Sequence, residues 1–428
     1  MSTYGDWLDL AAPETGIDAC DDAHAPGYPR SEHERQGTKD AQERDLPPLL
    51  SYADVMDDLP ELAPELIGGV LRQGHKMTVA GPSKSGKSFA LIALAIGIAE
   101  GTSWLGWPCA RGPVVYCNFE LDAASFWHRI HDVYAALGLE PDHAADIHVW
   151  NLRGHAREIG ELADDLVSIV DRVRPMAIVL DPVYKVFGGL DENSAGDWGR
   201  FTRHLDDVAT RSGAAVCLCH HHSKGSQGAK ASRDRASGSG VISRDPDALI
   251  DISELANAED AREGLLERLS VARLTAALNG HSEDWPSRIG PDQHDSRTLR
   301  ALGRELLPTD TMNALISELE TLARRVQYAK PLEVSLTLRE FAEAPARKVW
   351  YLNPLHIAAG AELEAAHVSG AVTKKDYAAA TVRAFEALAV DGETTVTAIA
   401  EYLGVSERQA RTRVDKAGLK RDAGTVTQ

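Results

Sequence analysis

Lys76-Met77-Thr78-Val79-Ala80-Gly81-Pro82-Ser83-Lys84-Ser85-Gly86-Lys87-Ser88-Phe89-Ala90-Leu91-Ile92 is the stretch whose reading decides the fold. A short apolar run, Met77–Ala80, ends at Gly81, and Gly81 to Ser88 fits the pattern G-x-x-x-x-G-K-[ST]. A long apolar stretch, Lys87–Glu100, follows directly. Strand, glycine-bracketed loop and helix in that order make a cradle for phosphate. The glycines let the backbone curl until its N–H groups face phosphate oxygens, and the helix N-terminus adds a favourable dipole. Gly81, Pro82, Ser83, Lys84, Ser85, Gly86, Lys87 and Ser88 are therefore the expected nucleotide-binding residues. Lys87 is expected to reach the β- and γ-phosphates, and the Ser88 hydroxyl to ligate magnesium. ATP with Mg2+ is the expected ligand pair.

Outward from this stretch, short apolar runs alternate with amphipathic ones from Lys76 to about Ser253. That alternation predicts an α/β fold with a largely parallel sheet flanked by helices. The expected strands are Met77–Ala80, Val114–Phe119, Ile147–Trp150, Ala177–Leu180, Ala214–Cys219 and Ala248–Ile252. Helices are expected at Lys87–Glu100, Ala123–Leu137, Glu158–Val173 and Asp197–Arg211. Magnesium needs a second oxygen donor at the end of a neighbouring strand. Asp181 supplies one after the buried run Met176–Leu180.

Hydrolysis requires a group that orients or deprotonates the attacking water. Asp181 is followed by Pro182 rather than an acid, so the base is expected elsewhere, at Glu120 beyond the end of strand Val114–Phe119. Cys217-Leu218-Cys219-His220-His221-His222 ends the next core strand, and His220 or His221 is expected to sense the γ-phosphate. His220 is the first choice. Three adjacent histidines also resemble a metal tract, but neighbours on an extended strand point in opposite directions. The stretch Gly225-Ser226-Gln227-Gly228-Ala229-Lys230-Ala231-Ser232-Arg233-Asp234-Arg235 is glycine-rich and basic, composed like a mobile loop that contacts a polyanion. Arg235 and Arg244 bracket Ser237-Gly238-Ser239-Gly240. Either could act as an arginine finger reaching a neighbouring subunit, and Arg244 is favoured.

Beyond this core the chain changes character. Residues 1–47 lack sustained periodicity, and residues 1–48 hold 11 acids against 4 basic residues, so they read as a disordered acidic leader. The ATPase core is expected over 48–260, a helical insertion over 261–330, and closing strands over 331–360. A helical linker is expected over 361–389. In the segment 390–428, Thr397–Val414 reads as a helix-turn-helix with Ile399, Leu403, Val405, Ala410 and Val414 inward and Gly404 at the turn. Ser406 caps the second helix. Arg408, Arg411, Arg413, Lys416, Lys420 and Arg421 make that helix and its exit basic, as a groove-facing helix would be.

At 428 residues the chain is long enough for two or three domains. The net charge of −19 argues against a surface that grips nucleic acid all over, since phosphate contacts need clustered Lys and Arg. No apolar run approaches the roughly 18–20 residues that span a bilayer. The five cysteines (Cys20, Cys109, Cys117, Cys217, Cys219) form no C-x-x-C pair and read as reduced thiols, so a cytoplasmic location is expected.

Taken together, the phosphate loop, Val115-Tyr116-Cys117-Asn118-Phe119-Glu120, Asp181-Pro182-Val183-Tyr184-Lys185-Val186 with Asp191-Glu192-Asn193, His220-His221-His222-Ser223-Lys224-Gly225 and Arg235-Ala236-Ser237-Gly238-Ser239-Gly240 resemble a known group. They look like the RepA-type hexameric replicative helicase ATPases of plasmids, prophages and mobile elements, which have a RecA-like core. The resemblance covers about Glu65 to Ile252, and Leu336-Arg339-Glu340-Phe341 with Trp350-Tyr351 look like that group's closing strands. It implies that Lys87, Ser88 and Asp181 carry nucleotide and magnesium and that Glu120 is the base. His220 falls where the group has its sensor, and Arg244 near its finger. It implies a hexamer with single-stranded DNA as partner, and the basic C-terminal helix-turn-helix separately makes duplex DNA a further expected partner. The stretch 261–330 departs from the group's pattern. A DNA-binding regulator or recombination accessory without unwinding activity is the competing expectation.

Overall fold

The computed structural model describes residues 47–190, 194–221, 244–256, 261–290, 293–364, 366–368, 381–382, 384–389, 393–402, 407–422 and 425–427. The acidic leader (all but Pro47), the basic stretch Gly225–Arg235 and the turn of the C-terminal unit lie outside them. The chain divides into two compact units, Ala12–Pro64 and the remainder. The described part of the first holds a four-residue helix, Tyr52–Val55. Its start is held by the Asp54 carboxylate, which accepts from the Ser51 N–H at 2.7 Å and the Ser51 hydroxyl at 2.8 Å.

The larger unit is built on a ten-stranded sheet. Six strands run parallel: β1 (Lys76–Gly81), β2 (Val114–Asn118), β3 (Ile147–Asn151), β4 (Ala177–Asp181), β5 (Ala215–His221) and β6 (Ala248–Ala256). Antiparallel strands β7 (Lys330–Leu338), β8 (Arg347–Leu352) and β9 (Leu355–Ala358) extend it beyond β6, and the two-residue β10 (His367–Val368) also pairs with β6. The order is β9-β8-β7-β6-β1-β5-β4-β2-β3. All six expected parallel strands are present, as are the four expected helices: α1 (Lys87–Glu100), α2 (Ala123–Leu137), α3 (Ile159–Val173) and α4 (Ala195–Ser212).

Strand residues alternate between two buried clusters because successive side chains leave a strand on opposite faces. Met77, Val79, Tyr116, Val179, Cys217 and Cys219 share one cluster with α1 and α2. Ala80, Cys117, Ile178, Leu180, Val216 and Leu218 share the other with α3 and α4. Covering both faces explains why these strands read as continuous apolar runs. Helix α1 buries ten of its 14 residues, which accounts for its apolar composition on every side.

The stretch 261–330, read from sequence as an insertion, consists of α5 (Ala261–Asn279), α6 (Ser296–Leu306) and α7 (Thr309–Val326). It does interrupt the chain between two strands, β6 and β7, which pair directly. Yet Leu265, Leu269, Leu274, Leu278, Leu299, Leu315 and Leu319 belong to the same cluster as Val79 and α1. These helices thus pack into the same buried cluster as the phosphate-loop helix. Beyond them, β11 (Glu393–Thr395), α8 (Val396–Tyr402), α9 (Glu407–Lys416), β12 (Lys420–Asp422) and β13 (Thr425–Thr427) form a small sheet of order β11-β13-β12 with two helices. Their core is separate and contains Phe385, Ile399, Ala410, Val414 and Val426. No helix among the described residues is long and apolar enough to cross a membrane.

Candidate nucleotide site

The loop joining β1 to α1 lies at the C-terminal edge of the parallel strands, between the strand ends of β5 and β6. Gly86 begins α1 at φ 83°, in the left-handed region, and a side chain there would also run into the Tyr351 ring. A Cβ on Gly81 would come within 3.1 Å of Ile252. Gly86 is thus required by conformation and by space, and Gly81 sits where a side chain would be tightly crowded. The loop's carbonyls are tied from outside it. Lys330 Nζ, on β7, donates to the Lys84 carbonyl at 2.9 Å, and His356 Nε2, on β9, lies 2.9 Å from the Ser85 carbonyl. In a planar trans peptide the N–H points opposite its carbonyl. Anchoring these two carbonyls therefore turns the Ser85 and Gly86 N–H groups to the other side. A carbonyl can only accept, so the His356 ring nitrogen facing it carries the proton. Burial depresses the pKa of His356 to about 4, which keeps the ring neutral.

Lys87 Nζ sits in the loop's concavity, donating to the carbonyls of Gly81 at 2.9 Å and Pro82 at 2.8 Å. Burial lowers its pKa, and the nearby carboxylates of Asp181 and Glu120 oppose that shift. Asp181, at the end of β4, is buried. Its Oδ2 accepts from the Tyr116 hydroxyl at 2.7 Å. Burial and the adjacent carboxylate push the Tyr116 phenol well above its ordinary range, so it remains a donor. Glu120 is exposed just past β2, with its backbone N–H held by Asn118 Oδ1 at 3.3 Å.

The two histidines expected to sense the γ-phosphate are separated by the period of the strand. Cys217, Cys219 and His221 face α1, whereas Leu218 and His220 face α4. His221 Nδ1 lies 3.1 Å from Lys87 Nζ. His220 is buried edge-on to the Trp198 ring, 5.5 Å between centroids. It is therefore His221, rather than the favoured His220, that meets the phosphate-binding lysine. The phase of alternation along β5 carried that information, because Cys217 and Cys219 already lie on the α1 side. Arg244 is exposed before the start of β6, where Asp247 N–H donates to the Lys76 carbonyl at 2.9 Å. That is the opposite edge of the sheet from the phosphate loop, roughly 16 Å away along β1. Arg244 does not face the nucleotide site of its own chain, so a finger role requires a second subunit. Its carbonyl and that of Asp245 accept from Arg339 at 3.0 and 2.8 Å. Lys76 Nζ holds Asp206 at 2.5 Å and Asp245 at 2.6 Å. Burial works against its charge, but these two carboxylates outweigh it and raise the Lys76 pKa. Arg235 lies outside the described residues.

Oxygen donors suit a hard divalent cation, and the Ser88 hydroxyl and Asp181 carboxylate are oxygen donors at the mouth of a loop built for phosphate. A parallel sheet with this loop, a buried strand-end aspartate and a lysine in the loop's concavity defines a P-loop nucleotide-binding protein. An AAA domain family matches residues 42–227, which covers β1 to β5 and every residue of the site up to His221. The chain carries a nucleotide-hydrolysing P-loop ATPase domain.

Proposed function

We propose that this protein is a Mg2+-dependent, ATP-driven DNA translocase of the RepA helicase type. It works as a hexameric ring in replication of a mobile element. The observation that carries this reading is the contact of His221 with Lys87. Strand β5 ends there, and the basic, glycine-rich stretch Gly225–Arg235 follows in sequence. A change at the γ-phosphate is thereby passed to the segment composed to hold a single strand. Placement of Arg244 at the far edge of the sheet supports assembly, since that arginine can serve only a neighbour's site. In this reading Lys87 and Ser88 bind Mg·ATP, Asp181 completes the metal site and Glu120 activates water.

The separately cored C-terminal unit supports a second reading. Helices α8 and α9 with their three-stranded sheet fit a winged helix-turn-helix, and Arg411 is exposed on α9. An ATPase regulator would use it to find a duplex site without unwinding DNA. The test is removal of residues from 390 onward, followed by ATPase, strand-displacement on a forked duplex and particle imaging with ATP. The translocase reading expects rings, displacement by the intact chain, and single-strand-stimulated ATPase that survives truncation. Loss of every DNA response on truncation, with no rings, would favour the regulator.

A further inference from the structure

Asp181 is held from a flanking strand: on β2, the Tyr116 hydroxyl donates to its Oδ2 at 2.7 Å. Tyr116 is itself held rigidly. It is 1% exposed, and its ring packs against Phe126 of α2 with 4.7 Å between centroids. The pairing register explains the reach: Tyr116 lies opposite Val179 and Asn118 opposite Asp181, so tyrosine and aspartate are diagonal neighbours on the α1 face. A buried strand interior gives a tyrosine hydroxyl few partners, and an unmatched one is costly. Here it is spent on the carboxylate expected to hold the metal.

We propose that Tyr116 is the positioning residue of the magnesium site, fixing the rotation of the Asp181 carboxylate so that one oxygen is occupied and the other is presented toward the phosphate loop. This rests on Asp181 serving the metal. Groups that orient a metal's ligands typically change metal affinity 10- to 100-fold when removed. Tyr116 touches neither nucleotide nor metal in this scheme, so its loss acts through Asp181 alone.

The test uses the full chain and a fluorescent ATP analogue whose binding is titrated with Mg2+, alongside the same titration in EDTA and a thermal melt. Tyr116→Phe keeps the ring and removes only the hydroxyl. It is expected to leave EDTA-state nucleotide affinity unchanged while raising the half-saturating Mg2+ about tenfold or more. Asp181→Asn, measured in parallel, is expected to weaken the Mg2+ dependence at least as much. Adding Tyr116→Phe to it should do nothing further. If Asp181→Asn shifts the Mg2+ titration and Tyr116→Phe does not, the proposal is overturned and the ATPase reading stands. If neither shifts it, Asp181 is not the metal ligand, and the proposal falls together with that assignment. Should Tyr116→Phe not fold, Phe126→Leu takes its place, because it removes the ring that braces Tyr116 and keeps the hydroxyl. A shift in the same direction is expected, and an unmoved titration in that folded variant overturns the proposal.

Discussion

Removing the Glu362 carboxylate tests whether helices α5 to α7 belong to the core. Glu362 Oε1 accepts from four donors on three segments. Arg268 of α5 gives Nε at 3.2 Å and Nη2 at 2.8 Å, Trp350 of β8 its indole N–H at 3.1 Å, and Gly360 its backbone N–H at 3.0 Å. Its side chain is only 7% exposed, and that of Arg268 is 23%. Breaking a buried pair from one side costs about 3–5 kcal/mol. Arg268 keeps some water and its 3.0 Å bond to the Ala358 carbonyl, so Glu362→Ala belongs at the low end, about 3 kcal/mol. Glu362→Gln retains an acceptor and should lose about 1–2 kcal/mol. Removing both charges with Arg268→Met and Glu362→Gln should cost less than Glu362→Ala, since no orphan charge remains. The pH dependence has a fixed sign. Burial raises the Glu362 pKa, but the Arg268 and Gly360 hydrogen bonds outweigh it, and the native value lies below the ordinary one of 4.5. The stabilisation is therefore complete above the unfolded pKa and disappears as pH falls through the lowered native value. Urea denaturation followed by tryptophan fluorescence, from pH 7 downward, reads both effects. A Glu362→Ala midpoint equal to wild type at pH 7, or a wild-type advantage that does not shrink on acidification, refutes the reasoning.

The remaining predictions concern the site. Lys87→Ala should abolish Mg·ATP binding and turnover, whereas Glu120→Gln should keep binding and lose about 100-fold or more in hydrolysis; full activity in the latter removes Glu120 from the chemistry. Gly86→Ala should cost about 1–2 kcal/mol for its left-handed backbone and about 1–3 kcal/mol more for the collision with Tyr351. A second change, Tyr351→Ala, should recover only the collision, which thermal melts of the single and double variants distinguish. Arg244→Ala should bind nucleotide but hydrolyse it poorly, and mixing it with Lys87→Ala should restore some turnover. No recovery in demonstrably mixed assemblies counts against Arg244.

Some of this protein was settled by sequence alone. The phosphate loop is a local object: its glycines, lysine and serine lie within eight residues, and the strand before and helix after it are local as well. Most of the parallel strands were visible because strands buried on both faces read as largely apolar runs; β3, at the sheet's edge, is only partly buried. Asp181 was visible because it ends such a run. What the tertiary structure decided depends on register and on distant partners. Whether His220 or His221 faces Lys87 is a matter of phase along β5, and a one-residue slip reverses it. Tyr116 reaches Asp181 only because β2 and β4 pair in one register. Lys330 and His356 orient the phosphate loop from 246 and 271 residues away, and no periodicity encodes that meeting. The helices of 261–330 looked like an insertion because they break the strand alternation. Only packing reveals that their leucines join the buried cluster that contains α1, since burial is a property of neighbours brought together by the fold.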